Sequence, residues 1–414
     1  MKEQQNRNEL PIGWRWSKLG EEFEVITGTT PPKSDSSNYG TDIPFFKPPH
    51  LWDKEISNTD ERLSLKGALK ARIVPPNTVL VTCIGNLGRT GFVKTKATFN
   101  QQINAILEND NVYGKYIFYQ AQSPEFKRQL EKLATGTTVS IVNKGNFETI
   151  EIPLAPKAIQ QAIISKIEEL FSELDKGIEN LLTAQQQLKT YRQSVLKWAF
   201  EGRLTNENIK DGELPESWKR LRLGDVCKSV EYGSSAKSKE KGKIPVLRMG
   251  NIQNGQFNWD DLVYTDDDKE IKQYLLERDD VLFNRTNSAE LVGKTAIYTG
   301  ERPAIFAGYL IRINRIDSLI DAKFLTYYLN SKDAKKYGNQ VRSFGVNQSN
   351  INGTKLKSYP ILLPTLEEQI TIVQEIESRL SIADKMQETI TQSLQKSEAL
   401  RQSILKTAFE GKLV

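Results

Sequence analysis

The stretch IGNLGRTG, residues 84–91, sets three glycines around Asn86, Arg89 and Thr90. Glycine opens backbone conformations closed to other residues, and amide, guanidinium and hydroxyl groups on such a loop can donate to phosphates or to base edges. FNRTNSAELVGK, residues 283–294, offers Asn284, Arg285, Thr286, Asn287 and Lys294. FNQQIN, residues 99–104, places Asn100, Gln101 and Gln102 side by side, and side chains of this kind bond adenine edges bidentately. Lys144 lies in GTTVSIVNKGN (136–146), and Arg342, Asn347 and Gln348 lie in RSFGVNQSNING (342–353). Lys47 in FKPPHL, with Arg248 and Asn251 in LRMGNI, completes the set. Any one of these residues reads equally well as part of a polar turn satisfying its own backbone. Together, at matching positions in two halves of the chain, they favour contact with nucleic acid.

Catalysis has little to stand on. VGKT (292–295) has the tail of a phosphate-binding loop, but Ser288 stands where the earlier glycine is required. GNLGRTG lacks G-x-G-x-x-G spacing, and FKPPH is not the Asn-Pro-Pro-aromatic signature of amino-methyltransferases. No carboxylate pair recurs at matching positions. Cys83 and Cys227 are the only cysteines and His50 the only histidine, which excludes a disulfide framework and a four-ligand Cys/His zinc cluster. His50 is expected to be a packed loop residue. The net charge of +5 is compatible with a nucleic-acid partner without demanding one. Residues 156–204 hold seven Lys/Arg against six Asp/Glu, so a basic surface must lie elsewhere. No apolar run approaches the roughly 20 residues that span a bilayer, and the polar start MKEQQNRNELPIGW has no signal core. The expected location is the cytoplasm.

The elements that must position these loops come as a tandem repeat. LPIGWRWSKLGEEFEVITG (10–28) is answered by LPESWKRLRLGDVCKSVEYG (214–233), with Leu10/Leu214, Pro11/Pro215, Trp14/Trp218, Leu19/Leu223 and Gly20/Gly224 at a constant offset of 204. IPFFKPPHL answers IPVLRMGNI, NTVLVTCIGNLGRTGFV answers DDVLFNRTNSAELVGKT, and LKWAFEGRL (196–204) answers LKTAFEGKL (405–413). Each copy opens with about 145 residues of mixed α/β character, where short β-type runs such as TVLVTCI are punctuated by Gly, Pro and Asn. A long helix follows. From Pro156 to Phe200, Ile163, Ile167, Leu170, Leu174, Gly177, Leu181, Ala184, Leu188, Tyr191, Val195 and Trp198 recur in steps of four and three, the period of a coiled-coil seam. The second copy carries a looser seam through Ile376, Leu380, Ala383, Ile390, Leu394 and Ile404. Both helices start after a proline and end at FEG.

The fold class expected is therefore α+β: a duplicated mixed α/β domain plus long helix. The two helices, each roughly 65 Å long at 1.5 Å per residue, pair as an antiparallel coiled-coil spacer with pseudo-two-fold symmetry. The segments are 1–155, first domain; 156–205, first helix; 206–213, linker; 214–363, second domain; and 364–414, second helix. The helix ends and domain openings are kept between the copies, whereas the loops diverge. Two domains of one fold with unlike loops suit an asymmetric, two-part DNA sequence with an unread gap.

At these residues the whole chain resembles the specificity subunit of Type I restriction–modification systems. The likeness rests on LPIGWRWSKLGE and LPESWKRLRLGD, on PTLEEQITIVQEIE (364–377), and on LRQSILKTAFEGKL (400–413). PKAIQQAIISKIEELF (156–171) departs where Ile159 replaces the glutamate found at Glu368. The resemblance implies that the domains are target recognition domains reading double-stranded DNA and that the chain has no catalytic activity or cofactor of its own. It implies two modification subunits that methylate adenine with S-adenosylmethionine. Restriction subunits add ATP- and Mg2+-dependent translocation and cleavage. It places modification-subunit docking on the helices near Phe200, Glu201, Phe409 and Glu410. The residues alone leave open a recognition chain of a related, Type IIB-like complex, or a protein-interaction scaffold without DNA contact.

Overall fold

The computed structural model describes residues 9–206, 208–210, 213–344 and 348–414. The chain forms two compact units, residues 1–182 with 391–414, and residues 183–390. Both long helices, Lys157–Phe200 and Leu366–Phe409, run from one unit into the other. No helix among the described residues is long and apolar enough to cross a membrane.

In the first unit, strand Arg15–Lys18 pairs antiparallel with Glu151–Leu154, so the opening of the domain lies beside the strand that leads into its long helix. A five-stranded sheet runs Val25–Thr27, Ile103–Ile106, Val79–Thr82, Thr90–Val93, Lys54–Ile56. Its centre is the β-branched run predicted as strand, and alternation sends its residues to opposite faces. Val79 and Val81 enter a core with Tyr116, Phe147 and the long helices, while Leu80 joins Phe46, Phe99 and Ile103 in a second core. The second unit repeats the plan. Lys219–Arg222 pairs with Pro360–Leu363, and a four-stranded antiparallel sheet runs Cys227–Tyr232, Leu310–Arg315, Val281–Asn284, Thr295–Ile297. Among the described residues, the non-glycine positions with left-handed φ are Asp53 (57°) and Asn77 (66°) in one domain, Asn254 (52°) and Asp279 (71°) in the other. They fall at matching positions, so the duplication extends to its strained turns.

Each unit contains the start of the helix that follows its domain and the end of the other helix. In the first, Ile163, Ile164, Ile167 and Phe171 share a core with Ile404, Leu405, Ala408 and Phe409. Arg401 pairs with Asp175 and stacks 4.3 Å from the centre of the Phe171 ring, while Phe409 lies 5.3 Å from Tyr116. In the second, Val195, Ala199 and Phe200 share a core with Ile372, Val373 and Ile376, and Arg192 pairs with Asp384 at 2.7 Å. Within each unit the two helices run antiparallel, as their sequence predicts. The seam itself is corrected in places. Gly177 and Tyr191 are exposed, and in the last turn Ala199 rather than Trp198 is fully buried, because that turn packs on a domain and not only on a helix.

The repeated FEG ending has a physical reason. Gly202 and Gly411 hold φ of 78° and 70°, the left-handed stop of a helix. The i→i−5 bonds Arg203 N–H to Trp198 O (2.9 Å) and Lys412 N–H to Thr407 O (3.0 Å) close the turn. A Cβ on Gly202 would sit 2.5 Å from Pro215 Cγ, and one on Gly411 2.2 Å from Pro11 Cγ. The ending is written twice because each copy closes against a repeated LP opening.

Candidate nucleic-acid interface

In each domain the polar loop leaves the central strand through the same backbone device. Thr82 N–H donates to Arg89 O (2.9 Å) and Gly88 N–H returns to Thr82 O (2.9 Å); Asn284 N–H donates to Lys294 O (2.8 Å) and Gly293 N–H to Asn284 O (2.8 Å). Gly88 and Gly293 have φ of 77° and 89°, a conformation that needs glycine. The side chain at the base seals each loop from within: Thr82 Oγ1 donates to Asn86 O (2.6 Å), and Asn284 Nδ2 to Leu291 O (3.1 Å). The second polar segment is tied alongside. Gly85 N–H donates to Ser140 O (2.9 Å) and Val142 N–H to Cys83 O (2.9 Å). In the other domain, Thr286–Asn287 pairs with Ser349–Asn350. The sequence places these stretches 50 or more residues apart, and the fold makes them one surface in each domain.

This shared scaffold presents unlike side chains. Arg89 and Lys294 take the same place at the end of the loop. Arg89 stacks 4.5 Å over the ring of Trp52, an aromatic that is 59% exposed. Trp52 was not singled out by sequence, and only its size at a turn position signals it. Asp53 next to it accepts from Thr90 N–H (2.8 Å) and Thr90 Oγ1 (2.9 Å), fixing the turn to the loop. The matching residues are Gln253 and Asn254. Arg285 instead stacks 4.8 Å over Tyr232 and donates to Gly308 O (3.3 Å).

Asn86, Gln101, Lys144 and Gln348 are exposed. Gln101 accepts from Thr30 Oγ1 at 2.5 Å, and Lys144 pairs with Glu148 at 3.5 Å. Arg89, Lys294, Gln102, Arg285, Thr286, Asn287 and Arg342 are half-buried. Thr286 Oγ1 accepts from Asn350 Nδ2 (2.8 Å), Asn287 Oδ1 from Ser288 N–H (2.8 Å), and Arg342 donates to Ala289 O (2.9 Å) and Asn339 Oδ1 (2.8 Å). Lys47 is paired with Glu61, and Arg248 with Asp261 at 3.0 Å. Asn347 lies outside the described residues.

Four expected contacts are corrected. Thr90, Asn100, Asn251 and Asn284 are buried. Thr90 and Asn284 make the bonds given above. Asn100 Nδ2 donates to Gln102 Oε1 (2.9 Å), and Asn251 Nδ2 donates to Asn258 O (3.1 Å) and Asp261 O (2.8 Å). Breaking such buried bonds costs about 1–3 kcal/mol each, so these side chains organise loops instead of reaching outward. Phe200 and Phe409 are corrected as well. Phe200 lies 5.5 Å from both Phe324 and Tyr328, and both phenylalanines are core residues. Glu201 and Glu410 stay at the helix ends in ion pairs with Lys197 (3.6 Å) and Lys412 (2.7 Å).

Other reactive groups are spent on the fold. His50 Nδ1 accepts from Lys47 N–H (3.1 Å), and burial holds the imidazole below its usual pKa. Burial pushes the Cys83 thiol up to about 12 and raises Cys227 too, which makes both poor nucleophiles. A groove of about 470 Å3 between the first domain and the helix pair is lined by Asp53, Glu55, Glu168, Asp175 and Glu179 together with Lys54, Lys176 and Arg401. Its carboxylates are largely spent in ion pairs, Glu55 and Glu168 with Lys115, Asp53 with Lys127 and Asp175 with Arg401.

The family model for the Type I restriction modification DNA specificity domain matches residues 11–184 and again 215–397. The chain is 27% identical, over 424 aligned residues, to the Type I restriction enzyme StySPI specificity subunit of Salmonella potsdam, covering 99% of this chain and 91% of that one. It is 25% identical to the EcoKI specificity subunit of Escherichia coli strain K12, covering 98% and 90%. Among solved structures, the HsdS subunit from Thermoanaerobacter tengcongensis shares 20% identity and a TM-score of 0.65 over the whole of both chains. A chain from a structure of type I R-M complex assembly shares 20% identity and a TM-score of 0.77 over 98% and 99%. With the specificity domain present twice over most of its length, the chain belongs to the Type I restriction–modification DNA specificity family and is a DNA sequence-recognition subunit.

Proposed function

We propose that residues 1–155 and 214–363 each read one half of an asymmetric, two-part DNA site. The long helices set the unread gap and dock two modification subunits. The observation that carries this reading is the pairing of one loop scaffold with unlike side chains: Arg89 over Trp52 in the first domain, Lys294 and the Arg285–Tyr232 stack in the second. Phosphate contacts fix register and base-edge contacts supply sequence, so identical scaffolds with different exposed groups select different half-sites. Asn86, Arg89, Gln101, Gln102 and Lys144 serve the first half-site. Arg285, Lys294, Arg342 and Gln348 serve the second. The chain itself is non-catalytic and cytoplasmic. S-adenosylmethionine, ATP and Mg2+ act in the modification and restriction subunits.

The test is to reconstitute the chain with candidate modification subunits and map methylated adenines across a genome. Methylation confined to one asymmetric two-part motif is the expected result. A stable complex that methylates without sequence preference, or not at all, would make this chain a scaffold and the loops ordinary turns.

A further inference from the structure

One buried polar residue sits in the first turn of each long helix. Gln160 and Gln369 are the fourth residues of their helices and are 2% and 0% exposed. Their hydrogen bonds match one for one. Gln160 Oε1 accepts from Tyr113 N–H (3.1 Å), and Gln369 Oε1 from Asp321 N–H (2.9 Å). Gln160 Nε2 donates to Ala155 O (2.9 Å) and Asn111 O (3.2 Å); Gln369 Nε2 donates to Pro364 O (3.1 Å) and Leu319 O (2.9 Å). Tyr113 and Asp321 are the N-cap residues of the domain helices Gly114–Ala121 and Ala322–Leu329. Ala155 and Pro364 lie on the short connections that join the last domain strand to the long helix. Each glutamine therefore clamps three backbone segments: the connection, the preceding loop, and the start of an internal domain helix.

All three partners are backbone groups, so the clamp is indifferent to the side chains that vary between the domains. That separates it from the recognition loops. Apolar side chains also hold each helix start to its domain, Ile163 and Ile167 beside Tyr116 and Ile372 and Ile376 beside Phe324, but such burial is non-directional. The clamp adds fixed hydrogen-bond geometry at the two-residue connection. The lever is long. A helix of 44 residues extends about 66 Å, and a tilt of about 5° at its start moves its far end by roughly 6 Å, nearly two base-pair steps.

We propose that Gln160 and Gln369 are positioning residues that fix the angle of each recognition domain on its long helix and so hold the DNA gap to a single length. This rests on the two-part reading proposed above. Neither residue touches DNA in this account, and base preference within each half-site does not depend on them.

The experiment uses the full complex with its modification subunits and DNAs carrying both half-sites at the native gap, one base pair shorter and one longer. Gln160→Met and Gln369→Met keep shape and remove every bond of the clamp; Gln160→Glu and Gln369→Glu keep the acceptor. The Met variants are expected to lose gap discrimination by about tenfold, the scale of one buried hydrogen bond left unmade. The Glu variants set a buried carboxylate against two carbonyl oxygens and should lose at least as much, all with unchanged base preference in the half-sites. If the Met variants do not fold, Gln160→Asn and Gln369→Asn decide, since their amide is one methylene too short for the full clamp and adds no charge. Folded variants that discriminate gaps as wild type does would overturn the proposal, because a purely structural role lowers stability without moving this ratio. If wild type methylates no two-part site, the recognition reading fails first and takes this inference with it. A wild type with a defined motif and variants with unaltered gap fidelity would sink the inference alone.

Discussion

The two units close their repeats with the same apolar contact and different polar ones. In the second, Glu368 accepts from Trp218 Nε1 (3.0 Å), Asn206 Nδ2 (3.1 Å) and Thr205 Oγ1 (3.2 Å), gathering the end of one long helix, the linker after it and the start of the domain onto one carboxylate. In the first, the matching residue is Ile159, which is 38% exposed and offers no acceptor. What both units keep is proline against the helix-ending glycine, Pro215 on Gly202 and Pro11 on Gly411. Glycine and close packing are thus the common requirement of the closure, and the hub on Glu368 is particular to the second unit, where the first has Ile159.

Breaking the common contact should have the largest effect. Gly202→Val or Gly411→Val meets left-handed φ and a proline ring together, and each is expected to destabilise its unit by about 3 kcal/mol or more. Denaturant unfolding checks this. Glu368→Ile makes the second closure resemble the first and leaves the Trp218 indole N–H without its acceptor. A loss of about 2 kcal/mol is expected, and a change within error would mean that the apolar contact suffices in both. The reverse exchange, Ile159→Glu, offers Trp14 the acceptor that Trp218 has. It should stabilise the first unit by no more than about 1 kcal/mol, since the carboxylate lies nearer solvent.

The recognition loops carry the same comparison in another form. Removing Arg89 should reduce preference for the correct first half-site by about 1–3 kcal/mol and leave the second half intact, with Lys294→Ala doing the converse. Competition between matched and mismatched methylation substrates measures both. A smaller effect depends on pH through Cys83. Cys83 holds its proton up to about pH 12 when folded, whereas an unfolded thiol ionises near 8.5. Stability through this group is therefore whole below about pH 8.5 and falls as pH rises, by at most about 1.4 kcal/mol per pH unit. Cys83→Ala should flatten that slope between pH 9 and 10.

Much of the architecture was legible because its signals are local. Proline at helix starts, glycine at φ of 78° and 70°, and apolar residues at helical spacing all act within a few residues of themselves. The repeat made them unmistakable by stating each twice. The interface was legible as loops but less so as side chains. Asn100, Asn251 and Asn284 have the groups that read bases, yet the same groups satisfy buried backbone atoms, and composition cannot tell these uses apart. Phe200 and Phe409 mark the ends of the helices, and only the tertiary fold reveals that their rings are core. Gln160 and Gln369 carried a signal that could have been used: the same residue type repeated at one register position four residues into each long helix.

The central claim is that one scaffold, written twice, reads two different half-sites. The most direct test replaces residues 214–363 with the corresponding domain of another family member and maps methylated adenines before and after. The account predicts a motif in which one half is new, the other half is unchanged and the gap is kept. A motif altered in both halves, or in neither, would contradict it.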